Sequence, residues 1–276
     1  MISLAKRVAG FMGGALLAGA LALGSAQAAL SQETSMIDEV MQRGVLKVGV
    51  SLFTPWAMRD KSGELIGFEI DVANELARDL GVDVEFVPTA WDGVIPSLLG
   101  GNFDLIISGM TRTTQRNVTV NFSEPYNYSG YTLLANKDLT KDLATVEDYN
   151  SPHVTLVSRR GGSVVADMKR LFPLATILEF DDEGTVFQEL VSGNAHATLS
   201  PEPTPSSIVR QYPDTMYVPF DTTFGAIGES IGVRKGDADS LNLINNWIQG
   251  KDRMGWLKDR SDYWFKSDAW HDQVDQ

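Results

Sequence analysis

Cysteine is absent from the 276 residues. That excludes disulfides, a lipid-modified cysteine anchor, thiol nucleophiles and thiolate metal sites. Histidine is nearly as scarce: His153, His196 and His271 are scattered without ligand spacing, which argues against a dedicated zinc site. Neither a metal nor a cofactor is expected. Positive charge is also short, with 23 Lys and Arg against 36 Asp and Glu. A chain this acidic repels nucleic acid and anionic lipid, so neither is expected as a partner. Beyond residue 30 no apolar run is long enough to span a bilayer.

What is present begins with Lys6 and Arg7, followed by an apolar, small-residue stretch from Val8 to Leu23 and an Ala26-x-Ala28 motif. That order predicts a secretory signal peptide over residues 1–28, cleaved after Ala28 or one residue later. A bacterial periplasmic location is the expectation. Roughly 248 residues then remain, enough for one large or two medium domains.

Strand-like runs alternate with helix-like segments, which predicts an α/β architecture. An opening helix near Ser35–Gln42 precedes a strand at Val45–Val50. A helix over Phe68–Leu80 places Ile70, Ala73, Leu76, Ala77 and Leu80 on one face. A strand at Val82–Val87, a short helix at Val94–Leu99 and a buried strand at Asp104–Ile107 follow. Successive βα units imply right-handed crossovers and a parallel sheet. A second set follows Pro152: strands at 153–157, 175–180 and 195–199, with helices at 164–171, 185–191 and 205–211. Ser230–Arg234 and Ala238–Ile248 read as a last strand and helix. Two extended runs, Tyr131–Asn136 and Met216–Phe220, bracket the second set. They are expected to be hinge strands, giving a first lobe from 29–136 and 222–276 and an inserted second lobe from 137–221. Ligand sites favour such an interdomain crevice at strand C-terminal ends.

In that crevice Ser108-Gly109-Met110-Thr111 follows a buried strand. A glycine there lets backbone approach a ligand, and exposed N–H groups with the Thr111 hydroxyl suit a carboxylate. Arg116, five residues on, can offer two parallel N–H bonds to the same group, with Arg112 as its rival.

The runs RGVLKVGV (43–50), GELIGFEID (63–71), WDGVIPSLL (91–99), DLIISGMTRTTQR (104–116) and FSEPY (122–126) succeed one another in a characteristic order. That series resembles the polar amino acid-binding family of bacterial extracellular solute-binding proteins, family 3, the ligand-capturing components of ABC transporters. The resemblance is weaker in the second lobe. It implies a two-lobed periplasmic-binding-protein-like fold of type II, with a mostly parallel sheet in each lobe and two hinge strands. It also implies capture of an amino acid or related carboxylate by hinge closure, delivery to a membrane permease, and a monomeric state. By resemblance Arg116 is the carboxylate anchor, and Phe53 and Trp91 are aromatic walls, with Trp56 beside them. Gly162, Ser163 and Val164 match a turn meeting the ligand carboxylate from the other side.

One departure stands out. The family's second-lobe strand ends in an aspartate that pairs with the ligand's ammonium, and Pro201 occupies that position here. Glu202 is the candidate replacement. Glu69 and Asp71 are expected to be structural. Two other functions stay open on the same scaffold: an enzyme similar to cyclohexadienyl dehydratases, with Glu202 as a general acid, and a sensory ligand-binding module.

Overall fold

The computed structural model describes residues 34–274, so the expected signal peptide lies outside the described residues. Helix α1 (Met36–Arg43) begins where the Ser35 hydroxyl accepts the Asp38 amide at 3.2 Å. It leads into β1 (Val45–Val50). A small hairpin, β2 (Met58–Arg59) and β3 (Leu65–Ile66), precedes α2 (Phe68–Leu80), whose apolar face is buried. Then come β4 (Asp83–Pro88), α3 (Val94–Leu99), β5 (Leu105–Ile106) and the single turn α4 (Thr114–Asn117). The long strand β6 (Asn121–Asn136) leads to the short α5 (Lys137–Thr140).

The next stretch repeats the strand–helix alternation: β7 (Thr155–Arg159), α6 (Val164–Leu171), β8 (Thr176–Phe180), α7 (Glu183–Val191), β9 (Ala197–Pro201) and α8 (Thr204–Gln211). The chain returns through β10 (Met216–Tyr217) and β11 (Ala226–Val233) to two helices, α9 (Ala238–Arg253) and α10 (Trp256–Lys266). Among the described residues no helix is long and apolar enough to cross a membrane.

Nine strands form one sheet in the order β4-β1-β5-β11-β6-β9-β7-β8, with β10 also paired to β6. Strands β4, β1 and β5 are parallel, as are β8, β7 and β9, whereas β11 and β6 run antiparallel to their neighbours. Strand β6 changes partners midway. Up to Gly130 it pairs with β11, and from Tyr131 it pairs with β9.

The buried side chains sort accordingly. Leu46, Val48, Phe68, Leu76, Leu105, Ile231 and Trp264 pack together under α2, α9 and α10, and Val94, Leu98, Phe103 and Ile106 pack on the opposite side. Beyond the partner change, Leu133, Leu156, Met168 and Leu199 form one cluster, and Leu134, Val157, Val186 and Leu190 another. Each stretch of sheet is therefore covered on both faces, as parallel strands require.

Several elements differ from expectation. Of the expected hinge run Met216–Phe220 only Met216–Tyr217 is a strand, paired with Asn136 and Ala135 of β6, and the chain returns through β11, which begins at Ala226 and not at Ser230. Strand β6 starts at Asn121, ten residues before the extended run read from the sequence, because Pro125 enters the ladder at a register irregularity opposite Ser230. Helix α9 continues to Arg253, and α10 was not anticipated.

Candidate functional site

A cavity of about 50 Å³ lies where the two stretches of sheet meet. From the β1–α2 side comes Phe53, from the loop after β4 comes Trp91, and from the turn after β5 come Gly109 and Thr111. Opposite them are Ser158 and Arg159 at the end of β7, then Gly162, Ser163 and Val164 in the turn into α6. Tyr131 of β6 and Glu183, the first residue of α7, complete the polar lining. Seven residues anticipated from sequence thus line one cavity: Phe53, Trp91, Gly109, Thr111, Gly162, Ser163 and Val164.

Two left-handed glycines shape the facing turns, Gly109 at φ 58° and Gly161 at φ 72°. Both conformations disfavour a side chain. The turn at Gly161 presents its carbonyl to the other side. Trp91 Nε1 donates to that oxygen at 3.1 Å, and an Arg116 guanidinium nitrogen donates to it at 3.0 Å. Another Arg116 nitrogen donates to the Thr111 carbonyl at 2.7 Å. Arg116 therefore ties the two turns together, and its guanidinium carbon sits 5.3 Å from the Trp91 ring. Tyr131 and Ser163 share a hydroxyl–hydroxyl bond of 2.5 Å beside them.

The remaining anticipated residues are placed differently. Ser108 is buried, and its hydroxyl accepts the Ser51 amide at 2.7 Å. Met110 is 1% exposed in the apolar cluster with Phe103, and its carbonyl accepts the Ser230 amide. Glu202 accepts from the Ser206 hydroxyl at 2.8 Å within the start of α8 and is not among the residues lining the cavity. Trp56 is buried, packed at 4.4 Å on Phe265 and stacked parallel to Phe53 at 6.3 Å. Arg112 faces Glu124 at 3.5 Å on the surface.

Arg159 and Glu183 are the polar residues that sequence reasoning missed. The Arg159 Nε lies 3.3 Å from a Glu183 carboxylate oxygen, with side-chain exposures of 11% and 14%. The contact does not meet hydrogen-bond geometry, and that Nε has no hydrogen-bond partner among the described residues. Burial pulls the Arg159 pKa down, with Glu183 and Asp182 opposing; burial also pushes Glu183 up, with Arg159 opposing. Arg116 is drawn down to about 10 by burial, Tyr131 opposing and Arg159 adding to the shift. Among the described residues no group of three or more His, Asp or Glu is arranged to hold a metal ion.

Glu69 and Asp71 sit behind the turn rather than in it. Glu69 accepts from the Tyr126 hydroxyl at 2.5 Å, and Asp71 accepts from Trp264 Nε1 at 2.6 Å. Both bonds tie α2 to its surroundings.

The model of the bacterial extracellular solute-binding proteins, family 3, matches residues 46–267, which span both stretches of sheet and the cavity between them. This chain belongs to that family. The L-cystine-binding protein TcyJ of Escherichia coli (strain K12) is 28% identical over 92% of this chain and 94% of its own. The cyclohexadienyl dehydratase of Pseudomonas aeruginosa is 26% identical over 87% of this chain and 90% of its own. Among solved structures, a putative ABC-transporter binding component from Wolinella succinogenes, complexed with lysine, superposes with a TM-score of 0.78 at 36% identity. That match covers 83% of this chain and 99% of the other. The two-lobed architecture is shared with these solved relatives, and the relatives include binding proteins and an enzyme.

Proposed function

We propose that this family member is the periplasmic receptor of an ABC importer, closing around an amino acid or amino acid-like carboxylate and delivering it to a membrane permease. The observation that carries the reading is the pair of facing turns, 109–111 and 161–163, held across one small cavity through the Gly161 carbonyl. Backbone N–H groups at such turns, with Arg116 beside them, suit a carboxylate. Phe53 and Trp91 supply flat apolar walls. The lobes in this reading are residues 29–136 with 222–276, and 137–221. They rotate about β6 near its change of partners at Gly130 and about the returning strand near residue 225. A monomer released by signal-peptide cleavage fits the role.

Two acids compete as the ammonium partner: Glu202, expected from chain order, and Glu183, which lines the cavity. An enzymatic reading has one specific support, the similarity to the Pseudomonas dehydratase. Against it, Glu202 is engaged by Ser206 and lies outside the cavity lining, and Glu183 is paired with Arg159.

The test is a thermal-shift screen of the mature protein, stripped of carried-over ligand, against amino acids, opines, betaines, dicarboxylates and prephenate. A ligand at about 100 times its Kd adds roughly 2.7 kcal/mol to stability. A hit that disappears in Arg116→Ala supports the carboxylate anchor. Loss of the hit in Glu183→Gln but not Glu202→Gln assigns the ammonium partner to Glu183, and the opposite pattern to Glu202. Silence across every amino acid and dicarboxylate sinks the reading, and turnover of prephenate or arogenate replaces it with the enzymatic one.

A further inference from the structure

The Phe53/Trp91 clamp is already filled by the protein's own cation. The Arg159 guanidinium carbon lies 4.2 Å from the Trp91 ring centroid and 5.3 Å from that of Phe53. Both distances fall in the range where an aromatic face attracts a cation. The two rings come from one side of the cavity and the arginine from the other. A ligand carrying its own guanidinium or ammonium side chain therefore finds the aromatic faces taken.

Charge points the same way. Arg159 and Glu183 line the cavity, and Arg116, bonded to the Thr111 and Gly161 carbonyls, stands beside it. Arg159 and Glu183 balance each other in the lining, and the adjacent Arg116 leaves the neighbourhood with a net charge of about +1. A neutral amino acid leaves that surplus in place, a basic one increases it, an acidic amino acid of net charge −1 cancels it, and a dianionic dicarboxylate reverses it. Arg159 is also under-bonded: its buried Nε has no hydrogen-bond partner among the described residues. A buried donor in that state gains from a carboxylate acceptor.

From these contacts we infer that Arg159 is the specificity-determining residue, that it binds a second acidic group, and that the ligand class is dicarboxylates, with acidic amino acids the best charge match. The inference rests on the cavity being the ligand site, as proposed above.

Isothermal titration of the full mature chain with L-aspartate, L-glutamate, succinate, L-lysine and L-arginine tests it. Wild type should bind at least one of the three acids at least tenfold more tightly than lysine or arginine. Preference for the amino acids over succinate places an ammonium partner in the site; the reverse preference identifies plain dicarboxylates as the class. Arg159→Ala should weaken the acids at least tenfold and strengthen lysine or arginine. Arg159→Met, which keeps the bulk, should weaken the acids without admitting the bases, and thermal melts verify that both variants fold. Tighter binding of lysine or arginine by wild type overturns the inference while leaving the receptor reading intact, as does an unchanged preference in Arg159→Ala. Absence of binding by every amino acid and dicarboxylate overturns both.

Discussion

Trp91 and Arg116 converge on the carbonyl oxygen of Gly161, and little else directly joins the facing turns. Removing the indole N–H in Trp91→Phe keeps an aromatic wall and deletes one bond. A single hydrogen bond contributes about 1 kcal/mol net, so ligand affinity should fall several-fold with thermal stability almost unchanged. Titration calorimetry of the variant checks this, and an unaltered Kd would show the bond to be irrelevant to closure.

Behind the turn, burial pushes Glu69 up to about 8, with the Tyr126 hydrogen bond opposing and Glu229 adding to the rise. Burial likewise pushes Glu229 up to about 7, against its bonds from Ser129 and Asn127. For both groups the native state keeps its proton where the unfolded chain, at about 4.5, has lost it. Their contribution to stability is therefore full below about pH 4.5 and is lost as pH rises through about 7 to 8. Urea unfolding at about pH 5 and about pH 9 should show the decline, and Glu69→Gln should flatten it. A wild-type profile that rises over that interval would count against buried, protonated carboxyls.

The legible site residues were those carried by turn chemistry: glycines, hydroxyls and aromatics after strand ends. Arg159 escaped because β7 is paired on both sides and buried on both faces, so no alternation shows which way its last residue points. Nothing in the sequence separates it from its neighbour Arg160, yet Arg160 pairs with exposed Asp181 while Arg159 enters the cavity. Glu183 was hidden for a related reason. An acid at a helix start is favoured by the helix dipole alone, which masks any second role.

At the scale of elements, helices with a clean apolar face were readable to within a residue or two: Phe68–Leu80 and Val164–Leu171 have the expected bounds. Helix α10 was not. Its sequence, WLKDRSDYWFK, mixes charge and aromatics without a continuous apolar stripe, and it is placed by tertiary contacts. Trp264 is 4% exposed, packs 5.8 Å from Trp270 and donates to Asp71 of α2. Truncation in Trp264→Ala should cost about 3–5 kcal/mol by creating a cavity and freeing a carboxylate. Urea denaturation reads this directly, and a loss below about 1 kcal/mol would mean α10 is only loosely attached. Strand β6 was half legible, since its apolar run from Tyr131 reads as a strand while Pro125 and Gly130 interrupt the strand pattern before it.

Across the whole molecule, one contact other than those at the Gly161 carbonyl also bridges the two chain segments. The Thr204 hydroxyl, at the start of α8, donates to the Thr54 carbonyl at 3.0 Å. If the closed arrangement is the binding-competent one, apparent affinity scales with the fraction of molecules that reach it. Thr204→Val removes this bond without touching the cavity. It should weaken every ligand by the same factor, about two- to tenfold, leaving their rank order unchanged. A change in rank order on titration would show that the contact shapes the cavity instead of the closure.

The indole of Trp91 has one more consequence. Of the six tryptophans it is the one whose ring N–H donates to Gly161, so opening of the cleft exchanges a protein carbonyl for solvent at that nitrogen. Indole emission responds to such an exchange. The protein therefore carries its own optical gauge of closure, and unlabelled material in a stopped-flow fluorimeter would time each capture event as it happens.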